Sequence, residues 1–333
     1  MITGDYAGTA LSVARKVGLN ATECLTGPDI AAMGEEEFAE KAATVDVFAR
    51  SVPQQKLRLV NALKARGETV AMTGDGVNDA PALKSAHIGI AMGQRGTDVA
   101  REAAALVLLN DDFSSIVEAV RAGRRVFENL RKAVSYVFAV HVPIAGLSVI
   151  PVLFGWPMIL GPIHIAFLEL VIDPACSVAF EAEPEEPGIM KRPPRPAGER
   201  VFSKRMVGLS LLQGLGVLVI LMAVFAVTLY WGEGEKEART LAFTTLVVAN
   251  LALIQTNRSW SRSVWSLAGA RNRALWAVTG SAVLFLSLAL YVPPLQAMFQ
   301  FDRLHMDDVV LCLAAGLGSV AWFEVLKRMR RLW

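Results

Sequence analysis

The chain has 333 residues, room for two domains of ordinary size, but 53% apolar residues and a mean hydropathy of +0.42 are too apolar for two soluble ones. A net charge of +2, with the basic residues beside apolar runs rather than in one stripe, gives no nucleic-acid footprint. Cys24, Cys176 and Cys312 lie far apart and form no CxxC, so neither a disulfide framework nor a zinc site is suggested.

Residues 1 to about 130 mix charged and apolar residues as a globular domain does, and long apolar runs separated by basic loops follow. Met1 leads directly into Ile2-Thr3-Gly4-Asp5, without the pattern of a signal peptide. Strand-like runs then alternate with helical stretches: Val45 to Ala49, a helix from Pro53 to Arg66, Val70 to Met72, a helix from Asn78, Ile88 to Ala91, Asp98 to Ala104, and Leu106 to Leu109. That rhythm predicts a parallel sheet in an α/β layer fold, with ligands gathering at the carboxyl ends of strands.

At one such end stands the run Met72-Thr73-Gly74-Asp75-Gly76-Val77-Asn78-Asp79-Ala80-Pro81-Ala82-Leu83-Lys84. Gly74 and Gly76 allow a tight turn, and Pro81 suits the first turn of the helix that opens at Asn78. Asp75 and Asp79 then converge at the strand end, and Mg²⁺ favours one or two carboxylates completed by waters and phosphate oxygens. A GDG triplet alone would be an ordinary β-turn. Lys56, near the start of its helix, could reach a phosphate at the sheet edge, although a lone lysine is more often a solvated surface charge.

From Ser114 or Ser115, read as N-caps, a helical pattern runs through Val117, Val120, Val126, Leu130, Val134 and Val137 with no break before Pro143, as a long stalk. It serves either to carry motion into the bilayer or as a plain support. Six apolar segments follow, at about 133–153, 159–180, 206–231, 240–256, 274–292 and 308–326, most near the length that crosses a bilayer. The fourth, with Thr244, Thr245 and Asn250, is the weakest. Arg131 and Lys132, the group from Lys191 to Arg205, the group from Arg258 to Arg273, and Lys327 to Arg331 all fall on one side, which predicts a cytoplasmic soluble domain and cytoplasmic termini.

Ionisable residues inside apolar segments are costly, so they are functional candidates by default. Glu169 and Asp173 stand four apart on the second segment, hence on one helical face, and Pro174 can unwind the backbone and free carbonyl oxygens. Together they suggest an oxygen-rich cation site; the alternatives are an Asp capping a broken helix and a carboxylate paired with His141.

The run from Met72 to Lys84 resembles the hinge motif of the P-type ion-pumping ATPases, a branch of the haloacid-dehalogenase superfamily. The resemblance extends from Thr3 to the basic tail. It implies a partial Rossmann-like α/β phosphorylation domain of haloacid-dehalogenase type plus an all-α bundle of six transmembrane helices, in three parts: residues 1–113, a stalk at 114–132 and a membrane domain at 133–333. It assigns catalysis to Lys56, Asp75, Asn78 and Asp79, with Asp75 holding Mg²⁺ and Asp79 acting on it indirectly, and assigns nucleotide or phosphate binding to Thr3, Gly4, Asp5, Thr73 and Gly74. The implied cofactors are Mg²⁺ and ATP. Six helices after the motif resemble the type II group, and Ile189 to Arg195 and Tyr291 to Leu295 are similar to loops of sarcoplasmic-reticulum-type calcium pumps.

Glu169, Asp173, His141 and Asn250 match ion-site positions of those pumps, which makes Ca²⁺ the leading candidate for the transported cation. The resemblance also has departures: calcium pumps carry an amide at the His141 position, carboxylates at Ile144 and Asn250, and a hydroxyl at Ile172. Ca²⁺ takes six to eight oxygens, and an imidazole suits a transition metal or a proton better.

Pumps of this family are phosphorylated on the Asp of a DKTGT motif, and the chain contains no DKTGT. The resemblance therefore implies a C-terminal portion, a split or frameshifted product or a misassigned start, inactive alone. A separately encoded N-terminal pump fragment is the expected partner, beside membrane lipid and the cation. The expected location is a multi-pass position in the plasma (inner) membrane. Two other classes remain: a non-catalytic membrane partner or remnant, and a dehalogenase-type phosphatase, which would need an upstream DxD and no membrane segments.

Overall fold

A computed structural model describes residues 1–196, 201–260, 262, 264 and 272–329, with 173–176, 328 and 329 described by their backbone alone. The chain divides into two compact units, Met1–Val120 and Arg121–Trp333.

In the first unit the β-prone runs form five short strands, β1 (Cys24–Thr26), β2 (Val47–Ala49), β3 (Ala71–Gly74), β4 (Ile88–Met92) and β5 (Leu106–Leu108), all paired in parallel as the alternation predicts. They make two sheets rather than one, β1-β2 and β3-β4-β5. Leu25 pairs with Phe48 on one side of β2, and Ile2 makes an isolated parallel bridge to Phe48 on the other. In the second sheet Thr73 pairs with Ile90, and Ile90 with Leu106.

Six helices cover the strands: α1 (Ala7–Lys16), α2 (Gly27–Ala32), α3 (Glu35–Thr44), α4 (Pro53–Ala65), α5 (Ala80–Ser85) and α6 (Asp98–Ala103). Sequence reading misses α1, β1, α2 and α3, because α1 buries only two alanines, Ala10 and Ala14, and α3 only Phe38 and Ala42, too few to make an apolar rhythm. The helix expected from Asn78 starts as a 3-10 turn, Val77–Asp79, and becomes α-helical at Ala80. Leu25, Ile30, Phe38 and Leu59 form one core under β1-β2, and Val60, Val70, Met72 and Leu83 another under β3.

Among the described residues, six helices are long and apolar enough to cross a membrane. They are α7 (Ser114–Leu153), the pair α8 (Pro162–Phe167) and α9 (Asp173–Glu181), α10 (Lys204–Tyr230), α11 (Glu235–Asn257), α12 (Arg273–Tyr291) and, after the short α13 (Pro293–Phe299), α14 (Met306–Met329). Ser114 and Ser115 are not the caps that sequence reading expects. The backbone N–H of Ser114 donates to Asp112 Oδ1 at 2.8 Å and its hydroxyl to Oδ2 at 2.6 Å, so the carboxylate of Asp112 meets the helix start. Burial separates the spans: 83% of the α11 window is buried against 28–43% of the others, so α11 sits at the centre. Thr244, Thr245 and Asn250, which make it look weak as a lipid-facing segment, face protein instead.

α7 runs through Pro143 and Pro151. Pro143 has no N–H to offer the carbonyl of Ala139, four residues back. That carbonyl is covered by Gly214 of α10, where a Cβ would come within 2.3 Å of Ala139 O and 2.7 Å of Val142 Cβ. Gly214→Ala is therefore expected to destabilise the bundle by about 1–3 kcal/mol, read as a lower unfolding midpoint in detergent. Gly208→Ala on the same helix, with nothing within 4 Å of its Cβ position, serves as the unchanged control.

Candidate functional site

β3 ends at Gly74, and the turn beyond it brings Asp79 back against the strand. Only a residue without a Cβ fits at 74, since a Cβ there would lie 2.5 Å from the Asp79 Cβ and 2.8 Å from its Cγ. From the neighbouring α4, Lys56 extends its ammonium to 2.6 Å from Asp79 Oδ1, with the two side chains only 16% and 9% exposed. Asp79 Oδ2 also accepts the Gly76 amide at 3.3 Å. The start of α4 is itself fixed: Gln55 accepts the Val52 amide at 3.1 Å and donates to Gly27 O at 2.7 Å. Gly27 lies so close to Arg50 O that a Cβ would approach to 2.4 Å.

Asp75 occupies the tip. Its carbonyl accepts the Thr97 amide at 2.8 Å, while its carboxylate is exposed and makes no hydrogen bond or ion pair among the described residues. Asn78 is exposed beside it, and Thr73 lines, with Lys56, Ile2 and Phe48, a cavity of about 670 Å³. The donors fit what Mg²⁺ takes, one or two carboxylates completed by waters and phosphate oxygens: one free carboxylate stands at the tip and a second is already paired with a cation.

Thr3, Gly4 and Asp5 follow the bridge that Ile2 makes with Phe48. Thr3 Oγ1 accepts the Asp5 amide at 3.1 Å and lies 3.2 Å from Asp5 Oδ2, and the Thr3 carbonyl accepts the Ser51 amide at 3.1 Å, just before α4. No hydrogen bond links these three residues to Asp75 or Asp79 among the described residues.

Of the intramembrane candidates, His141 is exposed and its Nδ1 lies 2.8 Å from the Val137 carbonyl of its own helix, whereas Asn250 is fully buried with neither side-chain atom bonded. Glu169 is exposed, within a π-helical stretch, Leu168–Ile172, that joins α8 to α9. A π-bulge breaks the regular carbonyl ladder just ahead of Pro174. The Asp173 side chain lies outside the described residues. No bond joins His141, Glu169 and Asn250 to one another among the described residues.

Sequence reading misses a buried charge cluster in the second unit. Lys132 Nζ lies 3.0 Å from Glu186 Oε1, and Arg258 Nε lies 2.9 Å from Glu183 Oε2, which also accepts Asn272 Nδ2 at 2.8 Å. Glu183 and Glu186, two carboxylates ending an apolar segment beside a basic loop, are the signal that could have found it.

Comparison with known proteins bears on the whole length. The family described as cation transporting ATPase, C-terminus, matches residues 157–329, and haloacid dehalogenase-like hydrolase families match residues 1–87 and 55–120. The probable cation-transporting ATPase F of Mycobacterium tuberculosis is 40% identical over 99% of the chain and 38% of its own length. Calcium-transporting ATPase 1 of Yarrowia lipolytica is 35% identical over 97% of the chain and 35% of its own length. The human calcium-transporting ATPase type 2C member 2 is 33% identical over 98% of the chain and 35% of its own length. The chain thus spans a little over a third of the length of these curated relatives.

Removing either partner of the Lys56–Asp79 pair strands a mostly buried charge. Lys56→Met is expected to destabilise the first unit by about 2 kcal/mol, less than a fully buried pair would lose. Lys56→Met combined with Asp79→Leu recovers more than half of that. Pulse proteolysis in urea measures both.

Proposed function

The chain belongs to the cation-transporting P-type ATPases, its first part being of haloacid-dehalogenase type and its second a six-helix bundle, and from that premise we propose that it works as part of an ATP-driven cation pump. In this reading it supplies the Mg²⁺-holding half of the phosphorylation site and a set of cation-binding helices.

The observation that carries the reading is the free Asp75 carboxylate at the strand tip, next to a lysine and aspartate that neutralise each other. Asp75 would hold Mg²⁺, which when bound draws negative charge away from a phosphoryl group. Lys56 would meet the phosphoryl oxygens, Asp79 keeps that ammonium aimed, and Asn78 and Thr73 supply hydrogen-bond donors beside it. Thr3, Gly4 and Asp5, at the neighbouring strand end, would face the nucleotide side. The absence of DKTGT leaves no aspartate of that motif to receive a phosphoryl group, so the chain alone is proposed to be inactive.

The two sheets support a partner that supplies it. The Thr3 amide donates to Phe48 O and the Phe48 amide to Met1 O, so the N–H and C=O of Ile2 point away from β2. β3 pairs only with β4. Two parallel edges are therefore open, with an apolar cavity lined by Ile2, Phe48, Val70 and Met72 beside them. A strand bearing the missing aspartate, from a separately encoded N-terminal pump fragment, is the occupant we propose.

For the cation we propose Glu169, Asp173, His141 and Asn250, with Ca²⁺ first among candidates and a plasma (inner) membrane location with the soluble part and both termini cytoplasmic. α7, unbroken from Ser114 to Leu153, would transmit tilt between phosphate and cation sites.

Purified chain incubated with labelled ATP is expected to form no acid-stable phosphoprotein. Addition of a polypeptide carrying DKTGT and a nucleotide domain should yield one in the wild type and none with Asp75→Asn; label in the isolated chain, or label that survives Asp75→Asn, would refute the reading. In the assembled pump, Glu169→Ala with Asp173→Ala is expected to abolish cation-stimulated hydrolysis while phosphorylation by inorganic phosphate persists.

A further inference from the structure

We infer that Asp111 is a positioning residue for the Asp75 turn: its carboxylate ties down the loop from Gly93 to Thr97, and the last amide of that loop holds the Asp75 carbonyl. The inference rests on the proposed role of Asp75.

Asp111 follows β5, its side chain is 8% exposed, and it adopts φ +52°, a left-handed conformation that aspartate tolerates better than most residues. Its Oδ1 accepts the Gln94 amide at 3.0 Å, and Oδ2 accepts the Arg95 amide at 2.9 Å and Arg95 Nε at 3.3 Å. Two consecutive loop amides are thus gathered onto one carboxylate. The Gln94 amide above all, then those of Arg95 and its side chain, holds the Asp111 carboxyl below the usual carboxylate range against the opposing effect of burial.

The remainder of the loop has little freedom. The amides of Gly93 and Asp111 both donate to Leu108 O, at 2.9 and 3.1 Å. Arg101 donates to Gly93 O at 3.0 Å and also to Gly96 O. A Cβ at Gly96 would come within 1.9 Å of Met92 O, so the chain folds back on the end of β4 as only glycine allows. The loop then delivers the Thr97 amide to Asp75 O at 2.8 Å, while Thr97 Oγ1 accepts the Ala100 amide to open α6. A metal-binding carboxylate works only when its backbone is held to within fractions of an ångström. Here the restraint runs from Asp111 through four residues to the Asp75 carbonyl.

The test uses the full chain in detergent, with Mn²⁺ as the probe, its Kd read by electron paramagnetic resonance, and amide hydrogen exchange measured at Thr97 and across 74–79. Asp111→Ala is expected to weaken Mn²⁺ binding about tenfold, as loss of an outer-shell partner does, and to speed exchange at both places. Asp111→Asn, which keeps the shape and one acceptor, gives a smaller change of the same sign. Asp112→Asn, whose partner is Ser114 at the start of α7, is the neutral control. If exchange across 74–79 is no faster in Asp111→Ala, or if Mn²⁺ affinity is lost with Asp75→Asn yet unchanged with Asp111→Ala, the inference is overturned. Mn²⁺ binding that survives Asp75→Asn would instead overturn the proposed metal role of Asp75, and exchange across 74–79 would then decide the positioning role of Asp111 alone.

Discussion

A lysine and an aspartate 23 residues apart share a contact of 2.6 Å, and much of the first unit follows from keeping them there. Two charges largely withdrawn from water are stabilising only if their geometry is held firmly by neighbours. The hold is visible on both sides. Gln55 and the absent Cβ of Gly27 lock the start of α4, and the absent Cβ of Gly74 lets Asp79 fold back onto the strand end. One consequence is chemical: Asp79 is already paired, whereas the Asp75 carboxylate at the tip of the turn is exposed and makes no hydrogen bond or ion pair among the described residues.

The second unit solves a different problem, the burial of polar groups among apolar helices. Ser135 and Ser210 hydroxyls meet at 2.6 Å, and Asn257 donates to Gln213 at 3.2 Å, so α7, α10 and α11 are joined by buried neutral hydrogen bonds. Beside them the joins are ionic. Glu183 accepts from both Arg258 and Asn272, and Lys132 pairs with Glu186. Along α7, Arg124 donates to the carbonyls of Ile189 and Arg192, and Glu128 pairs with Arg192, so the loop after α9 is fastened lengthwise to that helix by directional contacts.

The parallel strands β2 to β5, α4 and six membrane helices were legible because each is an apolar run or a period long enough to stand out. α1, β1, α2 and α3 were not, since elements that bury only one or two residues leave no rhythm. At the site, the turn after β3 and the helix that follows it could be read from two glycines and a proline in sequence order. The Asp111 restraint could not, because nothing in Leu109-Asn110-Asp111-Asp112 says that its partners lie at Gln94 and Arg95. Contacts between loops carry no period, and the division of the strands into two sheets is likewise a matter of pairing that periodicity does not encode.

The central place of α11 bears on how the bundle is made. Its Arg239 reaches Met158 O and Gln300 Oε1, and its threonines and asparagines are covered by other helices, so its compatibility with a bilayer is borrowed from its neighbours. Released singly into hydrocarbon, those groups would face lipid at a cost of several kcal/mol each. Stable placement of this segment in a bilayer therefore depends on the helices that cover it.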